Sequence, residues 1–157
     1  LKQSLQNING GGGLVNAGYV TTFNEYAIVS ENRLTCLPKG YSTELASLNG
    51  CSVTTGLSVI EINTQLLMGE SIVVVGVGAG AGAGGGGVGL NIIQGALLHS
   101  GHPIVTIDRY DKHMILENKL RAIHTLNNQI TLDWVTDVRS FVGKSGADVV
   151  VDNTGNP

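Results

Sequence analysis

The stretch SIVVVGVGAGAGAGGGGVG, residues 71–89, decides the fold of this chain. Its β-branched run, Ile72–Val75, predicts a buried strand, and the uncharged pattern of residues 90–99 predicts a helix directly after the glycines. A glycine turn between a strand and a helix presents backbone N–H groups at the helix N-terminus, where they can hold a phosphate. The stretch therefore predicts a nucleotide site.

The pattern G-x-G-x-x-G fits this stretch more than once, so no single match is specific. Gly76 and Gly78 open a match on the strand side, and the glycines that end at Gly89 complete another beside the helix. Asp108 follows nineteen residues after Gly89, at the end of the next predicted strand. A carboxylate there accepts hydrogen bonds from ribose hydroxyls and repels a 2′-phosphate, which favours NAD over NADP. The neighbouring Arg109 could stack on adenine or partly accommodate a phosphate. The alternative to a dinucleotide site is that Asp108 is an ordinary residue at a strand end and that the glycines form a linker.

Strand and helix patterns alternate through the second half of the chain. After residues 72–75, strands are predicted at residues 104–107, 123–126 and 148–151, with helices at residues 112–121, capped by Asp111, and 132–142. This alternation predicts an α/β fold: a partial, doubly wound (Rossmann-type) parallel sheet of about four strands.

The first part of the chain has a different pattern. Residues 15–38 are rich in strand-forming side chains and predict extended segments. Ser42 can cap a short helix over Thr43–Leu48 that Asn49-Gly50 would break, and residues 52–67 predict a longer helix.

Composition excludes several classes of function. Charged residues make up 13% of the chain and the net charge is −3, so there is no basic footprint for nucleic acid and no polybasic membrane patch. The uncharged residues 71–107 are interrupted by glycines and by Asn91 and Gln94, so no membrane span is expected. Two cysteines form no disulfide framework and suggest a reducing, cytoplasmic location. Because the chain begins with Leu1 and shows no signal peptide, we expect a piece of a longer or processed protein.

Other motifs are weaker. Gly143-Lys144-Ser145 resembles the end of a Walker loop, but Val138 stands where that loop needs glycine. No G-x-S-x-G elbow is present. The four histidines have no metal-ligand spacing and are expected at the surface or at helix ends: His99, His102, His113 and His124. Trp134 and Phe141 lie on an apolar helical stripe and are expected in the core.

Taken in order, several motifs resemble the zinc-type medium-chain alcohol dehydrogenase family. The resemblance covers roughly residues 14–157 and is more specific than any one motif. Its matches are FNEY at residues 23–26, LTCLP at 34–38, GCSVTTG at 50–56, GESIVVVG at 69–76, GVG at 87–89, Asp108 with Asp111 and Lys112, and GADVV at 146–150 with Gly155.

The resemblance implies an architecture and an activity. Residues 1–50 would be part of a GroES-like catalytic domain, and residues 51–157 part of a dinucleotide-binding domain. The full-length parent would transfer a hydride between an alcohol or polyol and NAD with the help of zinc. Its partner would be a small-molecule substrate, with a homo-oligomer compatible with the family and neither nucleic acid nor membrane involved.

The resemblance also assigns roles residue by residue. Cys51 matches a ligand of the catalytic zinc, and Thr55 matches a catalytic position near the nicotinamide. The remaining matches are cofactor-binding: the pyrophosphate turn at Gly87, Val88 and Gly89, the ribose acid Asp108, Lys112 beside the ribose, and Asn153 and Thr154 on the adenine side.

Departures from the family pattern leave an alternative open. The family's first two zinc ligands lie upstream of Leu1, so Cys51 alone would not hold zinc and is instead expected to be a buried free thiol. Residues 79–86 interrupt the glycine fingerprint, which predicts a recognisable but loosened site, and Arg121 replaces a usual glycine. This chain alone is expected to be inactive. The alternative is a non-catalytic dinucleotide-fold fragment or pseudo-enzyme with weak or no nucleotide binding.

Overall fold

The computed structural model describes residues 25–154, except residues 28, 79–84 and 132. The chain divides into two compact units, Leu1–Tyr41 and Ser42–Pro157. In the described part of the first unit the only regular element is a 3-10 turn, Glu31–Arg33, flanked by extended Ser30 and Leu34. No strand forms among the described residues before Tyr41, while residues 15–24 of the predicted extended region lie outside the described residues.

The second unit begins with a continuous helical stretch. The Ser42 hydroxyl accepts a hydrogen bond from the Leu45 amide (3.3 Å) and starts α1, Thr43–Leu48, as predicted. The predicted break at Asn49-Gly50 is wrong. The chain continues through a π-helical turn, Asn49–Val53, then α2, Thr54–Ser58, and a second π-helical turn, Val59–Thr64. One glycine costs a helix only about 1 kcal/mol, and the packing of α2 against the helix that follows β1 offsets it.

Four strands form one parallel sheet, which confirms the predicted fold class. They are β1 (Ile72–Val75), β2 (Ile104–Asp108), β3 (His124–Asn127) and β4 (Val149–Asp152). Their spatial order is β3-β2-β1-β4, and all three pairings are parallel. The β-branched runs explain the strands, because such side chains pack well on a pleated surface that is covered on both faces.

Three helices connect the strands: α3 (Gly85–Leu98), α4 (Asp111–Lys119) and α5 (Trp134–Val142). α3 starts at Gly85, earlier than the predicted residue 90, so the last two residues of the suspected insertion belong to the helix. Asp111 does not cap α4, because Tyr110 holds the N-cap position. The Asp111 carboxylate instead accepts a hydrogen bond from the Asn127 side chain (2.5 Å). Asp133 caps α5 through the Thr136 amide (3.2 Å).

Two apolar clusters cover the two faces of the sheet. Ile72, Val74 and Ile104 pack with Ile60 and with α3 on one face. Val73, Val105 and Ile107 pack against α5 on the other, where Phe141 is partly buried as predicted. Helices therefore lie on both faces, as in a doubly wound sheet. Trp134 was predicted in the core and is 36% exposed, because it stands at the first position of α5.

None of the helices in the described part of the chain has the length and apolar character needed to cross a membrane.

Candidate nucleotide site

The strand order locates a ligand crevice. The chain runs outward from β1 to β2 and β3, then returns to place β4 on the other side of β1. In open α/β sheets, ligands bind outside the carboxyl ends of the strands at this reversal. The residues that directly follow β1 and β4 are therefore the first candidates.

Gly76, Asn153 and Thr154 meet at that reversal. Gly76 has φ +76°, a conformation that glycine adopts without strain. The Asn153 side-chain amide donates to the Gly76 carbonyl (3.3 Å). A Cβ on residue 76 would lie 2.6 Å from Thr154 Cγ2, so only glycine fits this turn.

Gly78 and Asp108 are joined by a direct hydrogen bond. Asp108 ends β2 with its side chain buried, and its Oδ2 accepts the Gly78 amide proton at 2.6 Å. Its Oδ1 accepts the amides of Arg109 (2.6 Å) and Tyr110 (3.1 Å). The predicted ribose acid thus lies directly beside the predicted phosphate turn. Three backbone donors fix the orientation of its carboxylate.

His113 completes the surroundings of Asp108. Its Nδ1 lies 3.2 Å from Asp108 Oδ1, and its ring meets the Tyr110 ring edge-on with centroids 5.3 Å apart. A Cβ on Gly78 would overlap the imidazole, so the ring lies directly against this glycine. His113 was predicted as a surface or helix-end residue; it stands in the first turn of α4 but is only partly exposed. The first turn of a helix that follows a strand tends to face that strand's end, which is the signal that could have identified it.

The charge of Asp108 is stabilised despite burial. Burial by itself raises the pKa of this carboxyl. Hydrogen bonds from Gly78, Tyr110, His113 and Arg109 outweigh it and hold the pKa below its ordinary value. The carboxylate is therefore ionised at neutral pH, as a ribose-binding acid must be.

The N-terminus of α3 faces the same end of the sheet. A Cβ on Gly87 would lie 2.7 Å from Ser52 Cβ, and one on Gly89 would lie 2.6 Å from Val77 Cα. Gly89 thus permits close packing of α3 on the segment that follows β1. Gly76 supplies the turn with its positive φ. Residues 79–84, between these two parts of the glycine stretch, lie outside the described residues.

Most of the other predicted site residues are exposed. Arg109 lies just before α4 and Lys112 in its first turn, both with exposed side chains, whereas Val88 is partly buried within α3. Thr55 is exposed on α2, which packs against α3 through Gly56. Cys51 is exposed in the preceding π-helical turn, so the expectation of a buried thiol is wrong.

Zinc does not fit the donors that this chain shows. Among the described residues, no three His, Cys, Asp or Glu side chains are grouped closely enough to hold a metal ion. Catalytic zinc needs three protein ligands, and the Cys51 thiol is one.

Glu117 is a second residue that the sequence analysis missed. It lies on α4, fully buried, and its Oε2 accepts the hydroxyl of Thr106 on β2. Its Oε1 has no hydrogen-bond partner among the described residues. Burial raises the pKa of this carboxyl above its ordinary value. An acidic residue on a helix normally predicts a solvated position, so its sequence context carried no signal.

No family model matches the chain. The chain is 29% identical to an S-(hydroxymethyl)glutathione dehydrogenase from Aspergillus oryzae over 136 residues. These residues make up 87% of this chain and 33% of that protein. The enzyme of the same name from Escherichia coli O9:H4 strain HS is also 29% identical over 87% of this chain, and the match covers 35% of that enzyme. The chain thus spans about a third of the length of these relatives.

Solved structures give the same result. An alcohol dehydrogenase from Thermus sp. ATN1 superposes with a TM-score of 0.63 and 30% identity, over 74% of this chain and 31% of that one. An alcohol dehydrogenase zinc-binding domain protein from Burkholderia ambifaria gives 0.66 and 26%, over 77% and 30%. Benzyl alcohol dehydrogenase from Acinetobacter calcoaceticus (TM-score 0.68, 23% identity, 77% and 31% covered) supports the fold alone.

The parallel sheet, its strand order and the glycine turn define a Rossmann-type domain. Over most of its length the chain corresponds to about a third of a zinc-type medium-chain alcohol dehydrogenase, and the resemblance stated from the sequence is confirmed.

Proposed function

We propose that this chain supplies the dinucleotide-binding part of a dehydrogenase that transfers a hydride between an alcohol or polyol and NAD. The observation that carries the proposal is the buried, ionised Asp108 carboxylate, fixed beside Gly78 at the carboxyl ends of the strands. The names of the relatives support the reaction class, since they are dehydrogenases of S-(hydroxymethyl)glutathione and of alcohols.

The residues of this chain fit the adenosine and pyrophosphate half of the cofactor. Asp108 would bind the ribose hydroxyls, and the first amides of α3, from Gly85 to Val88, would face the pyrophosphate. Asn153 and Thr154 would border it at the strand reversal, with Arg109 and Lys112 at the rim. The ionised carboxylate disfavours a 2′-phosphate, so NAD is preferred to NADP. The bound dinucleotide would supply the hydride acceptor.

Zinc and catalysis belong to the longer parent in this proposal. Cys51 would contribute one ligand there and Thr55 a contact near the nicotinamide, in a cytoplasmic, homo-oligomeric enzyme acting on a small alcohol or polyol. The described chain holds too few donors for zinc, so no catalytic step is assigned to its own residues. The chain alone would bind nucleotide without turning over an alcohol.

A second candidate is a non-catalytic dinucleotide-fold fragment or pseudo-enzyme with weak or no nucleotide binding. It is favoured by one observation: backbone amides and His113 already satisfy both oxygens of Asp108. A ribose must therefore compete for this carboxylate.

Calorimetry with this chain separates the two candidates. NAD is titrated into wild type, Asp108→Asn and Asp148→Asn. Asp148 is a matched control, because its carboxylate binds Ser71 at the start of β1, away from the strands' carboxyl ends. We expect wild type and Asp148→Asn to bind NAD alike and Asp108→Asn to bind at least about tenfold more weakly, a difference of about 1.4 kcal/mol. No heat from wild type at millimolar NAD would leave the second candidate.

A further inference from the structure

The side chain of His113 contacts the carboxylate to which the proposed function assigns the adenosine ribose. A ribose bound to Asp108 must lie within hydrogen-bond distance of the carboxylate on its open side. Oδ2 is turned to the Gly78 amide, and Oδ1 is turned to two amides and to the imidazole. Of these four donors, three are backbone groups that cannot leave without unfolding the turn. His113 alone sits on a rotatable side chain.

The same ring also covers Gly78. The second fingerprint glycine lacks a side chain so that backbone and dinucleotide can approach closely. Here the imidazole fills that space, because a Cβ on Gly78 would overlap three of its ring atoms. One side chain therefore contacts both the proposed ribose acid and the second fingerprint glycine.

A cavity of about 50 Å³ lies beside the ring, between the glycine turn, α3 and α4. It is lined by Val77, Gly78, Gly86, Leu90, His113 and Leu116.

We propose that His113 is a self-ligand of the nucleotide site: it determines affinity by holding Asp108 and covering Gly78 until an adenosine ribose displaces it. The inference rests on the proposed function. The ring can leave by rotating about its own χ angles, since its side chain is 34% exposed. Asp108 stays in place when it does, because the amides of Gly78, Arg109 and Tyr110 continue to hold both oxygens. A hydrogen bond to an ionised carboxylate is charge-assisted, so the need to displace the imidazole weakens nucleotide binding.

The test compares two probes on three chains. ADP-ribose contains the adenosine ribose and nicotinamide mononucleotide lacks it; both are titrated into wild type, His113→Ala and His99→Ala. His99 is the matched control, because it follows the C-terminal end of α3, away from the site. We expect His113→Ala to bind ADP-ribose about tenfold more tightly than wild type. Affinity for the mononucleotide, and both affinities of His99→Ala, should not change.

A second readout needs no variant. In the wild-type chain, the imidazole C–H resonances of His113 should shift as ADP-ribose is added, while those of His99 and His102 stay. Equal or weaker binding of ADP-ribose by His113→Ala, with wild type still binding NAD, would overturn this inference and leave the proposed function standing. If neither ADP-ribose nor nicotinamide mononucleotide binds to wild type or to His113→Ala, both this inference and the proposed function are overturned.

Discussion

Thr106 on β2 donates its hydroxyl proton to Glu117 on α4, and both side chains are fully buried. The pair replaces an apolar contact between helix and sheet by a single hydrogen bond. Glu117 Oε1 is left without a partner among the described residues. Burial therefore favours the neutral acid, and the pKa of the Glu117 carboxyl rises above its ordinary value.

Changing Glu117 to Gln should remove a pH dependence of stability. The folded chain holds the Glu117 proton more tightly than the unfolded chain does. The stabilisation is therefore complete below the ordinary pKa and is lost as the pH rises through the folded value. We expect the free energy of unfolding of wild type to fall relative to Glu117→Gln by up to about 1.4 kcal/mol per pH unit in that range. Urea titrations from about pH 5 to about pH 9 measure the difference; a difference that stays constant with pH would refute it.

Thr106→Val tests the pair from the other side. Valine has the shape of threonine but leaves the Glu117 carboxyl with neither oxygen bonded, which should cost about 1–3 kcal/mol. Adding Glu117→Leu should recover most of that loss, because replacing both partners by apolar groups is nearly neutral. The same urea titration gives all three values. Additive losses in the double variant would show that the two residues do not act as a pair.

Gly89→Ala should destabilise the domain by overpacking. The added Cβ would lie 2.6 Å from Val77 Cα, so α3 must move away from the segment that follows β1, at a cost of about 1–3 kcal/mol. Gly50→Ala is the control, since its Cβ would meet nothing within 4 Å and its backbone is helical. That variant should be as stable as wild type or more stable by up to about 1 kcal/mol. Thermal unfolding ranks the three chains, and equal midpoints for Gly89→Ala and wild type would contradict the packing role.

Arg121→Gly should stabilise the turn between α4 and β3. Arg121 has φ +64°, a left-handed conformation that costs a residue with a Cβ about 1–2 kcal/mol. Arg121→Ala is the matched control, because it removes the same side chain and keeps the Cβ. We expect the glycine variant to exceed the alanine variant by about 1 kcal/mol, after allowing for the entropy of glycine in the unfolded chain. Equal stability of the two variants would show that this backbone is not strained.

The sheet was predictable because its signals are local. The β-branched run Ile72–Val75 forms β1 with the predicted bounds, and the run that ends at Asp108 forms β2. Asp108 could be placed beside the glycine turn because the carboxyl ends of parallel strands share one edge. The helix break predicted at Asn49-Gly50 is wrong because the packing of α2 on α3 overrides the weak local preference of these residues against helix.

The occupants of the site were less predictable because they depend on packing. The position of His113 in the first helical turn after β2 places it near the end of that strand, but the sequence does not show that its ring contacts Asp108 and Gly78. The sequence predicts Glu117 at the surface, because its buried partner Thr106 lies on a different element. Cys51 illustrates the converse, since the thiol expected in the interior is exposed.

Amide chemical shifts test the central claim most directly. If this chain carries the adenosine half of a dinucleotide site, adding ADP-ribose to the ¹⁵N-labelled chain should shift the amide resonances of Gly78, Arg109 and Tyr110, whose protons point at Asp108. The amide of Ser71, which binds Asp148 at the opposite end of β1, should not move. Shifts confined to Ser71 and its surroundings, or no shifts at saturating ADP-ribose, would contradict the account.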